Sequence, residues 1–428
     1  MKVFLVLFLF FGSFQQPVPA DSISLQYCYE QAEENYPIAK NMELQEKITD
    51  LNVSIAQTGY YPQVSVDGKA SYQSEVTDIS LPGGMGPPAV SKDQYEASVS
   101  VTQKIFNGGA VGIRKKIEKT KGKQEIHSTE VELHQIRSQV DQVYFGILLS
   151  QQQSKVNGLL IEELQERLKS VRSQVKNGVL LSSQQYILEA ELIKARQDSA
   201  SIESNIRANY QVLSELIGQE VDSSIALILP ELEVGYQSLQ PMRAEYDLFE
   251  STRRILKQQK ELAETKKMPS ISAYGSAMYG RPGLNFLNDD FHDYYMVGLK
   301  LRWNLFDFLN SNREMQALQI QQRKVTRNQQ AFTKQLEASI GRMDEQISSL
   351  RENIERDKEI IGLRNKIVKE SASQLDNGVI TATEYVTELT QANKARLSLF
   401  INRVQLAEVQ VKYLTTLGVP LQSVTTDK

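Results

Sequence analysis

Few side chains in this sequence have the types and spacing that covalent or metal chemistry requires. Gly108-Gly109-Ala110-Val111-Gly112 lies between a strand pattern and a helix pattern, the setting in which backbone amides can cradle a phosphate. No parallel βαβ pattern follows it, which argues against nucleotide binding. His127 and His134 stand seven residues apart on one face of a long helix pattern. Without a carboxylate or Cys at ligand spacing, solvation is a better reading of the pair than a metal. Asp289-Asp290-Phe291-His292-Asp293 has oxygen enough for a divalent ion, but it falls in a loop between strand patterns, where acids are ordinarily solvated. Arg114-Lys115-Lys116, with Lys119, Lys121 and Lys123, directly follows a strand. It suits either anionic head groups or a solvated helix start. No nucleophile has a base at supporting spacing, so the expectation is no enzyme, no cofactor and no metal.

Composition removes further classes. The chain has 428 residues, 41% hydrophobic and 23% charged, with one Cys, three His and a net charge of −4. No run after residue 20 is apolar for long enough to cross a bilayer as a helix, which excludes a polytopic helical transporter. One Cys and three His exclude a zinc ribbon or a disulfide framework. The near-neutral balance leaves no electrostatic footprint for nucleic acid. Lys2, the apolar run Val3 to Phe11 and the small residues ending Val18-Pro19-Ala20 predict a secretory signal peptide over residues 1–20. Cys28 lacks the small preceding residue of a lipidation site and is expected to be a small buried side chain.

The elements that must position any site are written twice. Ser173-Gln174-Val175-Lys176-Asn177-Gly178-Val179 returns two hundred residues later as Ser373-Gln374-Leu375-Asp376-Asn377-Gly378-Val379. Lys194-Ala195-Arg196 returns as Lys394-Ala395-Arg396, and Ile105-Phe106-Asn107 as Leu305-Phe306-Asp307, in the same frame. Pro62 corresponds to Pro269, so the frame shifts only between the Pro and the Phe, as an exposed loop there allows. The predicted organisation is a first repeat at 21–218, an equatorial linker at 219–242 and a second repeat at 243–428.

Each repeat reads as helix, strand, loop, strand, long helix, turn, helix. Leu336, Ile340, Met343, Ile347, Leu350, Ile354, Ile361 and Val368 follow the narrow a/d spacing of a coiled coil. Ile136, Val140, Val143, Ile147, Ile161, Leu164, Leu168, Val171 and Val175 do the same in the first copy. Ser150, Ser154 and Asn157 interrupt that seam, where looser packing is expected. Asn177-Gly178 and Asn377-Gly378 end the long helices, because Asn and Gly accept the left-handed conformation of a helix stop. Helical hairpins are predicted over about 110–217 and 311–417. The long leg of the first spans about 100 Å at the α-helical rise.

Strands are predicted over about 63–74, 94–106, 270–280 and 294–306. Val64, Val66, Gly68, Ala70 and Tyr72 alternate with Ser65, Asp67, Lys69, Ser71 and Gln73. Tyr295, Val297, Leu299 and Leu301 alternate with Gly298, Lys300 and Arg302. This alternation suits a membrane β-barrel and equally a half-buried soluble hairpin; the signal peptide and the helical hairpins favour the barrel. Four strands cannot close a barrel, and an open edge is not viable in hydrocarbon, so identical copies must share one. The order of that oligomer is not set by the strands.

The layout resembles the TolC family of bacterial outer-membrane efflux proteins across the whole mature chain. The residues that carry the resemblance are Pro62 and Pro269, the junctions Gln103-Lys104-Ile105-Phe106-Asn107-Gly108-Gly109 and Trp303-Asn304-Leu305-Phe306-Asp307, and the turns at Gly178 and Gly378. The second junction departs from the pattern, with Phe308-Leu309 where the first has a Gly pair. The resemblance implies an α+β membrane protein of two tandem repeats, each giving a β-hairpin and a coiled-coil helical hairpin. It implies a homotrimer with a twelve-stranded barrel in the cell outer membrane and an α-helical barrel in the periplasm. It also implies a periplasmic membrane-fusion adaptor and an inner-membrane pump of RND, ABC or MFS type as partners, serving efflux or type I secretion. By the same resemblance Asn177, Gly178, Val179, Asn377, Gly378 and Val379 lie at the periplasmic tip, where the adaptor binds, and Glu384 and Gln184 face the tunnel entrance. Thr387 stands where some relatives have a second acid. Two other readings are a periplasmic coiled-coil adaptor or scaffold and a passive porin-like channel.

Overall fold

The computed structural model describes residues 22–76, 91–232, 240–285 and 288–421. The expected signal peptide lies outside these residues, as do most of the 74–94 loop, part of the 219–242 linker and most of 419–428. In chain order the elements are β1 (Ser22–Ile23), α1 (Leu25–Asn35), α2 (Lys40–Gln57), β2 (Gln63–Tyr72), β3 (Asp93–Phe106), α3 (Ala110–Lys176) and α4 (Ser182–Ile217). They continue with β4 (Ala226–Leu227), α5 (Ala244–Thr265), β5 (Ser270–Arg281), β6 (His292–Arg302), α6 (Asp307–Asp376) and α7 (Ala382–Leu417).

The chain divides into two compact units that do not follow the repeats. One comprises Met1–Lys40, Thr129–Ala244 and Thr333–Lys428, and the other Asn41–Ser128 and Glu245–Phe332. Each unit draws on both repeats because α3 and α6 are unbroken helices of 67 and 70 residues that contribute to both.

The second unit holds a four-stranded antiparallel sheet in the order β2-β3-β5-β6. Its register aligns Ser65 with Ser100, Ser100 with Ser276 and Ser276 with Met296, so one face is polar. The neighbouring row, Val66, Val99, Ala277 and Tyr295, builds the other face from apolar side chains. That apolar face is uncovered in the single chain: Val66 is 78% exposed and Leu299 73%. The sheet ends at β2 and β6, each with an unpaired edge among the described residues.

The two strand-to-helix junctions differ as their sequences do. The first passes through Gly108 and Gly109 at φ 65° and 80°, conformations that a side chain would strain. The second needs no such residue. Strand β6 stops at Arg302 rather than near 306, since Leu305-Phe306 form a turn and the Asp307 amide donates to the Asn304 carbonyl at 3.2 Å. Helix α6 therefore begins at Asp307, four residues before the expected 311, and Phe308-Leu309 lie inside it.

In the first unit the a/d seams are buried. Val140, Ile147, Leu164 and Val171 are inaccessible or nearly so, as are Ile347 and Leu350. The polar interruption is bonded rather than merely loose: Asn157 Nδ2 donates to the Ala195 carbonyl of α4 at 2.7 Å. The Tyr144 hydroxyl of α3 accepts from the Ile228 amide at 3.0 Å and has the carbonyls of Ile228 and Ile23 within reach of its one proton, at 2.7 and 2.9 Å, beside the short parallel β1–β4 pair. Tyr29 of α1 donates to Asp141 of α3. Cys28 is fully buried, and burial pushes its thiol up to about 12, which keeps it protonated and inert.

Candidate functional site

The residues singled out as a tip are brought together in the first unit by two helix–turn–helix connections with the same backbone. Gly178 and Gly378 sit at φ 73° and 67°. The Val179 amide donates to Gln174 at 2.8 Å and the Gly178 amide to Val175 at 3.0 Å; Val379 to Gln374 and Gly378 to Leu375 repeat both distances. These paired bonds satisfy the carbonyls that each long helix leaves open at its end, and glycine is required because the motif turns through a left-handed residue.

The side chains on these equal backbones are not equal. In α7, Thr381 accepts from the Glu384 amide while the Glu384 carboxylate accepts from the Thr381 amide at 2.7 Å and its hydroxyl at 2.9 Å. That reciprocal cap holds the Glu384 carboxyl below its ordinary range, first through the Thr381 amide and then its hydroxyl. In α4 the cap position is Leu181, whose side chain makes no capping bond. Gln184, the counterpart of Glu384, reaches instead to the other turn, where its Oε1 accepts from the Ala382 amide.

A second link fastens the turns. Asp376 accepts from Arg167 Nη1 at 2.7 Å and from Ser170 at 3.1 Å, and the same guanidinium lies 5.0 Å from the centre of the Tyr385 ring. Burial raises the Asp376 carboxyl, but Arg167 overrides it, and the net shift is downward. Beneath these contacts Leu164, Leu168, Val171, Leu188, Leu375 and Leu389 form a shared apolar cluster. Val179 and Val379, at the turns themselves, remain 63% and 71% exposed.

Sequence reasoning overlooked Arg167, Asp376 and Tyr385. The signal was present as broken repetition: the corresponding residues are Ile367, Lys176 and Gln185.

The other motifs have local roles. Asp289 accepts from the amide and the hydroxyl of Ser91, joining the ends of two loops. Nε2 of His134 is 2.6 Å from Nη1 of Arg243, which also reaches the carbonyls of Thr415 and Thr416 at the end of α7. Among the described residues no helix is long and apolar enough to cross a membrane.

The model of the outer membrane efflux protein family matches residues 28–219, which cover the first repeat. No curated protein matches the sequence. Among solved structures, VceC, an outer membrane protein of Vibrio cholerae, shares 12% identity and a TM-score of 0.69, covering 93% of this chain and 96% of its own. The CmeC outer membrane channel of Campylobacter jejuni gives 13% and 0.69 over 92% and 86%. The open MtrE outer membrane channel of Neisseria gonorrhoeae gives 14% and 0.68 over 94% and 91%. The first repeat thus matches the outer membrane efflux protein family, and the whole chain shares the fold of these outer membrane channels.

Proposed function

We propose that the chain is the outer-membrane channel of a tripartite efflux or type I secretion system. Three copies would share a twelve-stranded barrel in the outer membrane, and their helical hairpins would form the periplasmic tunnel. The observation that carries this reading is the four-stranded sheet, polar on one face, apolar and uncovered on the other, with both edges open. Helix α2 adds support. Leu44, Ile48, Leu51 and Ile55 form an apolar stripe that the described residues leave largely exposed, with Leu51 65% exposed. A neighbouring copy is the occupant that this stripe and the open sheet edges share.

At the turns, Val179, Val379 and Leu181 offer exposed apolar contacts to a periplasmic adaptor, which would in turn engage an RND, ABC or MFS-type pump. Asn177, Gly178, Asn377 and Gly378 give those contacts a fixed backbone. In a trimer Glu384 would supply three carboxylates at the tunnel entrance, ionised because its cap stabilises the charged form. Gln184 would stand beside them.

Electrophoretic mobility of the detergent-extracted outer-membrane fraction, with and without boiling, tests the reading. A species near three chain masses that collapses to one on boiling is expected. A monomer in the aqueous periplasmic extract would leave the coiled-coil adaptor or scaffold instead.

A further inference from the structure

The polar face of the sheet is not evenly charged. In the half remote from the helices, Lys69 is registered opposite Glu96, and Asp67 lies two residues along the same strand. Cations there have carboxylate company. In the half next to the helices the same face carries Lys104, Lys300 and Arg302, with Lys104 and Lys300 both flanking Ser272 across the strands. Arg114, in the second turn of α3, lines the same open cavity of about 880 Å³. Serines and threonines make up much of the remaining lining, and no carboxylate belongs to it among the described residues. All four cations are exposed, and among the described residues no ion pair holds any of them.

This placement is not explained by stability. Helix α3 has no acid in its first turn and brings Arg114, Lys115 and Lys116 directly behind it, the sign that the positive end of a helix disfavours. Nor is it explained by lipid head groups. Strand alternation puts Lys104, Lys300 and Arg302 on the face opposite Ile271, Leu299 and Leu301, away from the apolar surface that would meet lipid.

We propose that Lys104, Lys300, Arg302 and Arg114 form an anion-selective belt in the barrel lumen, and that the cargo it favours carries net negative charge. This rests on the channel reading above. Uncompensated cations lining a confined aqueous path raise the local concentration of anions and exclude cations from it. Carboxylates and phosphates share the chemistry that this belt would accept. Repetition by symmetry would turn each chain's patch into a continuous ring.

The test is the reversal potential of the purified, heat-modifiable oligomer in planar bilayers under a KCl gradient. Wild type is compared with the triple variant Lys104→Glu, Lys300→Glu, Arg302→Glu. Both proteins have the same helical turns, so any difference belongs to the belt. The expected result is a several-fold fall in the chloride-to-potassium permeability ratio of the variant. The neutral triple variant Lys104→Gln, Lys300→Gln, Arg302→Gln should fall between them, and it serves if charge reversal prevents assembly. An unchanged reversal potential in a conducting variant overturns the belt while leaving the channel intact. A folded oligomer that conducts no ions at all overturns the channel reading, and the belt with it.

Discussion

The two turns at Gly178 and Gly378 have one backbone and two chemistries. Their closing hydrogen bonds agree in length, yet only the second carries a reciprocal side-chain cap, and only the second supplies the Asp376 and Tyr385 that Arg167 engages. Duplication has preserved what the chain direction demands and released what one copy needs in order to lean on the other. If that is right, substitutions in the shared cluster and at the turn glycines should act alike in both copies. Substitutions in the links should act in one only.

The largest effect belongs to the shared cluster. Leu188 and Leu389 are both fully buried, and either Leu→Ala change should cost about 3 kcal/mol by loss of transfer energy and creation of a cavity. Thermal unfolding followed by the helical signal in detergent reads this directly. The residues one repeat away, Glu388 and Glu189, should tolerate Ala far better. A comparable loss at Glu388 would mean that α7 presents a different face to the cluster than the one seen.

Next come the glycines. Gly178→Val and Gly378→Val each force a β-branched residue into the left-handed region, at about 2 kcal/mol each. Nothing lies within 4 Å of a Cβ built at either position, so strain rather than collision is the whole effect. The two losses should therefore match. A marked difference would show that the turns are not equivalent even in backbone.

These cases mark how far the sequence could be read. The turns, the seams, the sheet and its two faces were legible because they rest on periodicity and on glycine's conformational freedom, both local properties. The faces of the returning helices were not. Exact repetition would bury corresponding residues, but α4 buries Leu188, Leu192 and Ala195 while α7 buries Tyr385, Leu389 and Ala392. The second set corresponds to positions 185, 189 and 192, so near the turns the copies share only the Leu192/Ala392 position and α7 turns a partly shifted stripe toward the cluster. Contact between the copies selects that stripe, and the period of one helix cannot reveal it. The compact units were hidden for the same reason: two long helices carry the chain through both, so the units cut across the sequence repeat.

Arg167→Ala should act through one copy alone. The ion pair is partly solvated, so its loss is worth about 1 kcal/mol once screening is allowed for, while Ile367→Ala leaves the Asp376 link untouched. The pair also has a pH signature. Asp376 is lowered in the folded protein, so its contribution is complete above the unfolded pKa near 4 and disappears as pH falls through the lowered value. In Arg167→Ala the carboxyl is no longer held down, so that acid-dependent loss should shrink and the gap to wild type should narrow as pH falls, which unfolding midpoints measured from pH 5 downward would record. An unaltered acid limb would remove Arg167 as the cause of the shift.

The smallest effect is the most discriminating, because it concerns a single cap. Thr381→Ala removes the hydroxyl that accepts from the Glu384 amide and donates to its carboxylate, at a cost of about 1 kcal/mol near neutral pH. Leu181→Ala removes no capping bond from α4 and should cost little at any pH. Glu384 is ionised and lowered, so its share of the cap persists above the unfolded pKa and fades as acid protonates the carboxylate. The gap between wild type and Thr381→Ala should therefore narrow as pH falls below about 4. It should not close, because the Thr381 hydroxyl still accepts from the Glu384 amide in acid. Thermal midpoints of both variants at neutral and acid pH decide the matter. Equal losses for Leu181→Ala and Thr381→Ala, or a gap indifferent to pH, would mean that the reciprocal cap does not distinguish the two turns. The charge of Glu384 would then have no structural reason to be fixed in one copy and absent from the other.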